Sequence, residues 1–176
     1  MDSGAGRGAS KGQSAMRAAR PRHLMSLFVF LALCAAVSAL GAGITSSSVT
    51  TWYPTLSKPM FTPPDWVFAP VWTALFIMIA VAGWRVWRKR ATHVIAAALT
   101  VYGIQLALNL GWSLSFFGMQ RIGLAVVDIL LLLTFIALNM TVFIRIDRVA
   151  ALLLLPYFLW VTFAAFLTVR IWQLNT

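Results

Sequence analysis

Five long apolar runs follow one another along the chain, separated by short polar segments. They cover residues 24–44, 66–87, 94–117, 122–144 and 149–172. About 20 helical residues, each rising about 1.5 Å, are needed to cross roughly 30 Å of hydrocarbon, and each run is long enough. The pattern therefore predicts an all-α integral membrane protein with five transmembrane helices.

The connections predict how these helices are arranged. The segments 118–121 and 145–148 are so short that they can only join antiparallel neighbours. An up-and-down bundle results, so residues 24–176 should form one transmembrane domain.

The first 23 residues are mainly Gly, Ser, Ala and basic residues, too polar to build a core, and we expect a disordered basic leader. The run at 24–44 has an alternative interpretation as a cleaved signal, because a basic segment precedes it and small residues lie around 39–43. Its length favours a first transmembrane helix that completes the bundle.

Composition agrees with a membrane protein. The chain is 61% hydrophobic and 10% charged, against about 45–50% apolar and about 25% charged in soluble domains. In a soluble protein the net charge of +10 would suggest nucleic acid. Here the basic residues cluster at the ends of the apolar runs, so they indicate topology and no nucleic-acid partner.

The distribution of Lys and Arg predicts the orientation. If the N-terminus is cytoplasmic, that side carries eleven basic residues and the other side three. The eleven are Arg7, Lys11, Arg17, Arg20, Arg22, Arg85, Arg88, Lys89, Arg90, Arg145 and Arg148, and the three are Lys58, Arg121 and Arg170. The positive-inside rule then places the loop 45–65 and the C-terminus on the opposite side.

The loop 45–65 is stiff. Pro54, Pro59, Pro63 and Pro64 each fix φ, so the loop loses less entropy when it is ordered. It can act as a lid over the mouth of the bundle, with its aromatic residues toward a flat ligand: Trp52, Tyr53, Phe61 and Trp66. A rigid connector with interfacial aromatic anchors is the alternative.

The third run carries a polar and aromatic stripe. Gln105, Asn109, Trp112 and Phe116 recur at helical spacing on one face. Because amides are costly in hydrocarbon, this face should point inward. The opposite face carries Gly103, Ala107 and Gly111, a small-residue pattern that predicts a homodimer interface.

Other candidates lie on the remaining helices. Phe68, Trp72 and Phe76 stack at four-residue steps on the second helix, which more often indicates packing than a binding wall. Asp128 is an acid well inside a span, and it is either a functional group or a hydrogen-bonded structural residue.

The sequence gives little support for a metal site or a catalytic nucleophile. Cys34 is the single cysteine and lies in an apolar run without a nearby His or acid. His23 and His93 lie at the ends of spans, so neither suits axial ligation of haem iron inside the bundle. We therefore predict no metal site and no required cofactor.

Several blocks occur in order along the chain: W-Y-P-x-L-x-K-P-x-F-T-P-P-x-W-V-F-x-x-V-W from Trp52 to Trp72, Q-L-A-L-N-L-G-W-S-L-S-F-F-G-M-Q-R from Gln105 to Arg121, Val127-Asp128, and P-Y-F-L-W from Pro156 to Trp160. Together they resemble the tryptophan-rich sensory protein / translocator protein (TspO/MBR) family. The resemblance implies a five-helix bundle, commonly a homodimer, that binds protoporphyrin IX or a related tetrapyrrole in a pocket capped by the first loop.

The resemblance also implies ligand contacts for Trp72 and Trp160, and room for ligand beside Ala164. The complete predicted ligand-binding set is Trp52, Tyr53, Pro63, Trp72, Phe76, Gln105, Asn109, Trp112, Asp128, Trp160 and Ala164. Sterol binding is not expected, because residues 167–173 lack a central Tyr and a closing basic residue.

Three functions follow from these observations. The leading one is a membrane receptor or carrier for porphyrins. The alternative is light- and oxygen-dependent porphyrin breakdown assisted by Trp72 and Trp160. Because no nucleophile, metal cluster or nucleotide loop is recognisable, the reactivity would come from the porphyrin, light and oxygen. An independent exporter or a scaffold is less favoured, because no inverted repeat is evident.

Overall fold

The computed structural model describes residues 5–89 and 93–176, so residues 1–4 and 90–92, Arg90 among them, lie outside the described residues. These residues form six α-helices and no strand. The helices are α1 (Ala5–Thr51), α2 (Phe68–Trp87), α3 (His93–Ser113), α4 (Ile122–Phe143), α5 (Arg148–Leu153) and α6 (Leu155–Asn175). Five segments are long and apolar enough to cross a membrane, with α5 and α6 together forming the fifth. The predicted fold class is confirmed.

The spans pack as a closed ring. Helix α1 contacts α2 and α3, α3 lies against α4, α4 against α6, and α5 and α6 return to α2. The interior is filled by apolar side chains such as Ile79, Ile136 and Phe143, all fully buried. Because lipid is as apolar as these side chains, tight packing rather than exclusion from water holds the helices together.

The closest approach involves α1, α2 and α3 around Gly83. A Cβ at this position would lie 2.8 Å from ring atoms of both Phe30 and Tyr102. Tyr102 cannot easily withdraw, because its hydroxyl donates to the carbonyl oxygen of Ile79 at 3.3 Å and lies 3.3 Å from Sγ of Cys34. Glycine is therefore required here to let three helices meet.

Two spans depart from a simple α-helix. The third ends in a π-helical turn, Leu114–Gly118, in which the Met119 N–H donates to the carbonyl oxygen of Leu114 at 2.7 Å. Such turns occur often at functional sites. The fifth span is divided at Leu154, because Pro156 has no N–H and fits only the first turn of a new helix.

Helix α1 is longer than the first apolar run at both ends. It begins at Ala5, whereas disorder was expected for residues 1–23; Ala, Arg, Lys and Gln in that segment favour a helix. It ends at Thr51, so the first part of the expected loop 45–65 is helical. The hydroxyls of Ser46 and Thr51 donate to carbonyl oxygens in the preceding turn, which satisfies this polar stretch within the helix.

A partly buried ion pair joins α2 to the turn between α4 and α5. Nη2 of Arg85 lies 3.0 Å from Oδ2 of Asp147. The Asp147 carboxylate also accepts a hydrogen bond of 3.1 Å from the Ala150 N–H and so caps α5. Burial opposes ionisation of Asp147, but the Ala150 N–H and the Arg85 guanidinium together hold its pKa below the usual value.

Replacing Gly83 by Ala should lower the free energy of unfolding by about 1–3 kcal/mol, because the added methyl group forces two aromatic rings apart. Gly103→Ala is the matched control, since nothing lies within 4 Å of its added Cβ. That control should be neutral or stabilised by up to about 1 kcal/mol. Thermal unfolding in detergent measures both, and equal stability of the two variants would contradict the packing at Gly83.

The Asp147 pKa predicts a pH dependence of stability. Because the pKa is lowered in the folded state, the stabilisation is complete above roughly pH 4 and is lost as the pH falls through the folded pKa. Asp147→Ala should cost about 1–2 kcal/mol, mostly from the cap, since Arg85 is partly exposed and solvent screens the ion pair. Asp147→Asn keeps a cap and should lose the acid-dependent part of the melting curve. An unchanged pH profile in that variant would contradict the assignment of the acid-dependent stability to Asp147.

Candidate functional site

A cavity of about 440 Å³ lies between α1, α2, the end of α3 with its π-helical turn, and α6. Helix α2 contributes Phe68, Trp72 and Phe76, the stack predicted from the sequence. Trp72 lies 5.7 Å from Phe76, between ring centroids, and 6.2 Å from Tyr157 in the core behind it. This stack therefore forms an aromatic wall that the interior holds in place.

The second aromatic wall comes from the end of α3. Trp112, Phe116 and Phe117 line the cavity, and the rings of Trp112 and Phe116 stack at 5.4 Å. The π-helical turn carries both phenylalanines, and their rings lie edge to face at 4.8 Å. The extra residue in this turn lets neighbouring aromatic residues reach the same space.

Small and hydroxyl-bearing residues of α1 form the remaining wall. They recur every three to four residues: Val37, Ser38, Gly41, Ala42, Thr45, Ser46 and Val49. Their short side chains leave open the space that larger residues would fill. No residue of this helix was among the predicted site residues, although the helical spacing of these small residues is visible in the sequence.

Tyr53, in the segment 52–64, is buried and lines one end of the cavity. Tyr53 lies 5.8 Å from Phe117, between ring centroids, and the Lys58 ammonium lies 4.3 Å from the Tyr53 ring centroid. The Ser57 backbone exchanges hydrogen bonds of 3.0 and 2.9 Å with the Asn175 amide at the end of α6. Burial and the nearby Asp65 raise the pKa of Tyr53 to about 12, so its phenol stays neutral near pH 7.

Few charged groups line the cavity. Asp65 is the one charged residue among the lining residues. The indole N–H of Trp112 is buried and has no hydrogen-bond partner among the described residues. The Thr168 hydroxyl is already satisfied by the Ala164 carbonyl oxygen at 2.8 Å. The Trp112 N–H is therefore enclosed by protein atoms and does not face the open space of the cavity.

The structure brings five of the eleven predicted site residues to the cavity: Tyr53, Trp72, Phe76, Trp112 and Ala164. The two amides do point inward, as predicted, but neither lines the cavity. Gln105 is fully buried without a partner among the described residues, and the Asn109 amide donates to the Tyr157 hydroxyl at 3.1 Å. They lie deeper along α3 than the space that a ligand could reach.

Four other predicted residues also lie away from the cavity lining. Trp160 lies behind the wall, 5.9 Å from Phe68 between ring centroids. The Trp52 ring packs edge to face on Phe116, with 5.6 Å between ring centroids. Pro63 is a half-buried residue of the segment 52–64. Asp128 approaches α3 from outside the ring, where a Cβ at Gly111 would lie 3.0 Å from its Oδ1.

Two further aromatic residues of the loop do not face the cavity. Trp66 is 75% exposed, and Phe61 stacks on Phe166 at 5.3 Å on the outside of the bundle. The expectation that both rings face a ligand is wrong. Their position suits the interfacial anchors that the sequence left as an alternative.

The predicted dimer face is partly used within the chain. Gly103 and Ala107 are exposed on the outer face of α3, whereas Gly111 is half-buried against Asp128 of α4. The homodimer stays a prediction, and it can involve only the first two of these residues without rearrangement.

Among the described residues, no group of three or more His, Cys, Asp or Glu side chains could hold a metal ion. Cys34 is buried against the Tyr102 hydroxyl, 3.3 Å away. The groups that the cavity offers are mainly aromatic rings and hydroxyls, with the Asp65 carboxylate, which suit non-covalent binding of a largely apolar ligand.

These features define a class of protein: a multi-pass integral membrane protein with an aromatic cavity between its spans. The TspO/MBR family model matches residues 30–173. The chain belongs to the TspO/MBR family.

Relatives from bacteria and animals support membership of this family. The tryptophan-rich protein TspO of Chlorobaculum tepidum is 45% identical over 158 residues, which cover 88% of this chain and 98% of that protein. The tryptophan-rich sensory protein of Cereibacter sphaeroides is 36% identical, covering 83% and 89%. The translocator protein of Bos taurus is 36% identical, covering 77% and 82%. Membership supports a role as a membrane receptor or sensory protein.

Proposed function

We propose that this protein is a membrane receptor or carrier that binds porphyrins in the cavity between α1, α2, α3 and α6. The observation that carries the proposal is a space of about 440 Å³ with aromatic walls on two sides. This volume lies in the range of roughly 300–1,000 Å³ typical of small-molecule sites. A flat, largely apolar macrocycle gains most from such walls, because its faces can contact several rings at once.

The two aromatic walls would contact the ligand faces, and α1 would contact an edge. Trp72 and Phe76 supply one wall, and Trp112 and Phe116 the other. The hydroxyls of Ser38 and Thr45, which line the cavity, can donate to a carboxylate or carbonyl oxygen of the ligand. This arrangement replaces the polar contacts expected from Gln105 and Asn109.

Trp72→Ala should weaken protoporphyrin IX binding roughly tenfold or more, equivalent to about 1.4 kcal/mol, because it removes the largest side chain of one wall. Trp160→Ala should have a smaller effect, since Trp160 supports Phe68 from behind. An absorbance titration of the purified protein in detergent measures both affinities. Unchanged affinity in both variants would show that the ligand binds elsewhere.

A matched pair of substitutions on α1 tests whether the ligand occupies this cavity. Ala42→Phe adds a ring at the wall of the cavity and should abolish or strongly weaken binding, whereas Ala39→Phe adds the same ring at an equally exposed position that does not line the cavity. Binding that survives Ala42→Phe, in a variant as stable as Ala39→Phe, would contradict the assignment of this cavity to the ligand.

A second candidate is light- and oxygen-dependent breakdown of the bound porphyrin. It is favoured by the two indoles, Trp72 and Trp112, that line the cavity. The same titration samples, illuminated in air, distinguish the two functions. A decrease in porphyrin absorbance that requires Trp72 favours breakdown, and a stable spectrum favours binding alone.

We further propose that the N-terminal end of α1 faces the cytoplasm and the C-terminus the opposite side. Among the described basic residues, Arg85, Arg88, Lys89, Arg145 and Arg148 flank one end of the bundle, and only Lys58, Arg121 and Arg170 the other. This asymmetry follows the positive-inside rule.

Cysteine labelling tests the orientation. Thr176→Cys, combined with Cys34→Ala, should react with a membrane-impermeant maleimide in sealed right-side-out vesicles, because the C-terminus would lie outside. Cys34 is the only native cysteine, so the background is low. Labelling that appears only after detergent is added would reverse the proposed orientation.

A further inference from the structure

A second cleft lies at the opposite end of the bundle from the aromatic cavity. Its volume is about 310 Å³, and it is lined by His23, Arg85, Arg88, Lys89 and Asp147. At about 1.5 Å per residue, about 24 Å of α2 separates Trp72 in the cavity from Arg88 in this cleft. The cleft is therefore a separate site, with a different chemistry.

The cleft is cationic. Its lining contains three cationic side chains and one carboxylate, which leaves two positive charges. Asp147 is engaged by Arg85, which donates from Nε at 3.3 Å and from Nη2 at 3.0 Å. No described carboxylate lies within 4.0 Å of the charged groups of Arg88 or Lys89. The excess charge is thus carried by two neighbouring side chains at the end of α2.

The walls of the cleft are held in place by tertiary contacts. The Trp84 indole N–H donates to the carbonyl oxygen of His23 at 3.0 Å and fixes the start of the first span against α2. The Arg88 guanidinium lies 4.6 Å from the Trp84 ring centroid. The ion pair of Arg85 with buried Asp147 fixes the third side. The cationic groups are therefore arranged around a formed cleft rather than spread along a mobile surface.

The cleft also lies at a defined depth. The first apolar span begins at His23, and the second ends at Trp87. Both boundaries place the cleft where the hydrocarbon gives way to lipid headgroups. Indole rings with neighbouring basic residues are typical of this layer.

We propose that this cleft binds the phosphate group of an anionic phospholipid, with Arg88 and Lys89 as its principal contacts. A guanidinium presents several N–H donors in a plane, which matches phosphate oxygens, and an ammonium adds a point charge. Basic pockets between helices at the cytoplasmic end of membrane proteins are suited to such headgroups.

Native mass spectrometry of the full chain tests this site. Phosphatidylglycerol and phosphatidylcholine with the same acyl chains are added in detergent, and the ratio of bound lipids is measured. We expect a preference for phosphatidylglycerol that falls about tenfold or more in the Arg88→Gln, Lys89→Gln double variant, since each basic residue near an anionic lipid contributes roughly fivefold.

The matched control is Arg145→Gln with Arg148→Gln. It removes two charges from the same end of the bundle, and its residues are exposed like Arg88 and Lys89, but neither lines the cleft. Its lipid preference should persist. If both double variants lose the preference equally, the attraction is a diffuse effect of net charge, and the proposed site is wrong.

A measurement on the unaltered chain distinguishes a lipid from a free phosphate and does not depend on variant folding. Inorganic phosphate is added to the phosphatidylglycerol complex, with sodium chloride of equal ionic strength as the control. We expect little displacement beyond the salt control. Complete displacement by phosphate alone would assign the cleft to a soluble phosphate compound and overturn the lipid source.

Discussion

Hydrocarbon offers no hydrogen-bonding partner to the chain, and this constraint decides most of the structure. Backbone N–H and C=O groups must be satisfied within each span, so the spans are helices. The Ser and Thr hydroxyls follow the same rule: those of Thr73, Thr100 and Thr134 each donate to a carbonyl oxygen one turn earlier. Larger polar groups cannot be satisfied in this way, so Gln105, Asn109 and Asn139 are all buried inside the ring.

Side-chain size explains why the interior of this helical bundle is not uniformly filled. Around Gly83 the helices approach until aromatic rings touch the backbone, and the middle of the bundle is dense. Toward the other end, α1 presents Gly41, Ala42 and Thr45 to the rings of α2 and α3. Small residues on one side and rigid aromatic residues on the other cannot close this space, because the rings are fixed by their own neighbours. The cavity is thus a consequence of unequal side-chain size around the ring of helices.

The sequence predicted the five spans and the inward face of α3 because both follow from periodicity along one helix. It could not predict which inward residues reach the cavity. Gln105 and Trp112 share one face, yet only Trp112 lies at the depth where the neighbouring helix is α1 with its small side chains. Depth along a helix axis depends on what the adjacent helix presents, and a single-helix pattern contains no such information.

Contacts between residues far apart in the sequence could not be predicted from it either. Arg85 and Asp147 are 62 residues apart, and the sequence marked Arg85 only as a topology signal. In the structure, this arginine neutralises the carboxylate that caps α5 and forms one side of the cationic cleft. Positive charge at the end of a span therefore has two effects: it favours one orientation in the membrane, and it builds local structure when a buried acid lies within reach. Arg88 and Lys89 line the same cleft and lack such an acid among the described residues, so their charge is available to the proposed phosphate group in the headgroup layer.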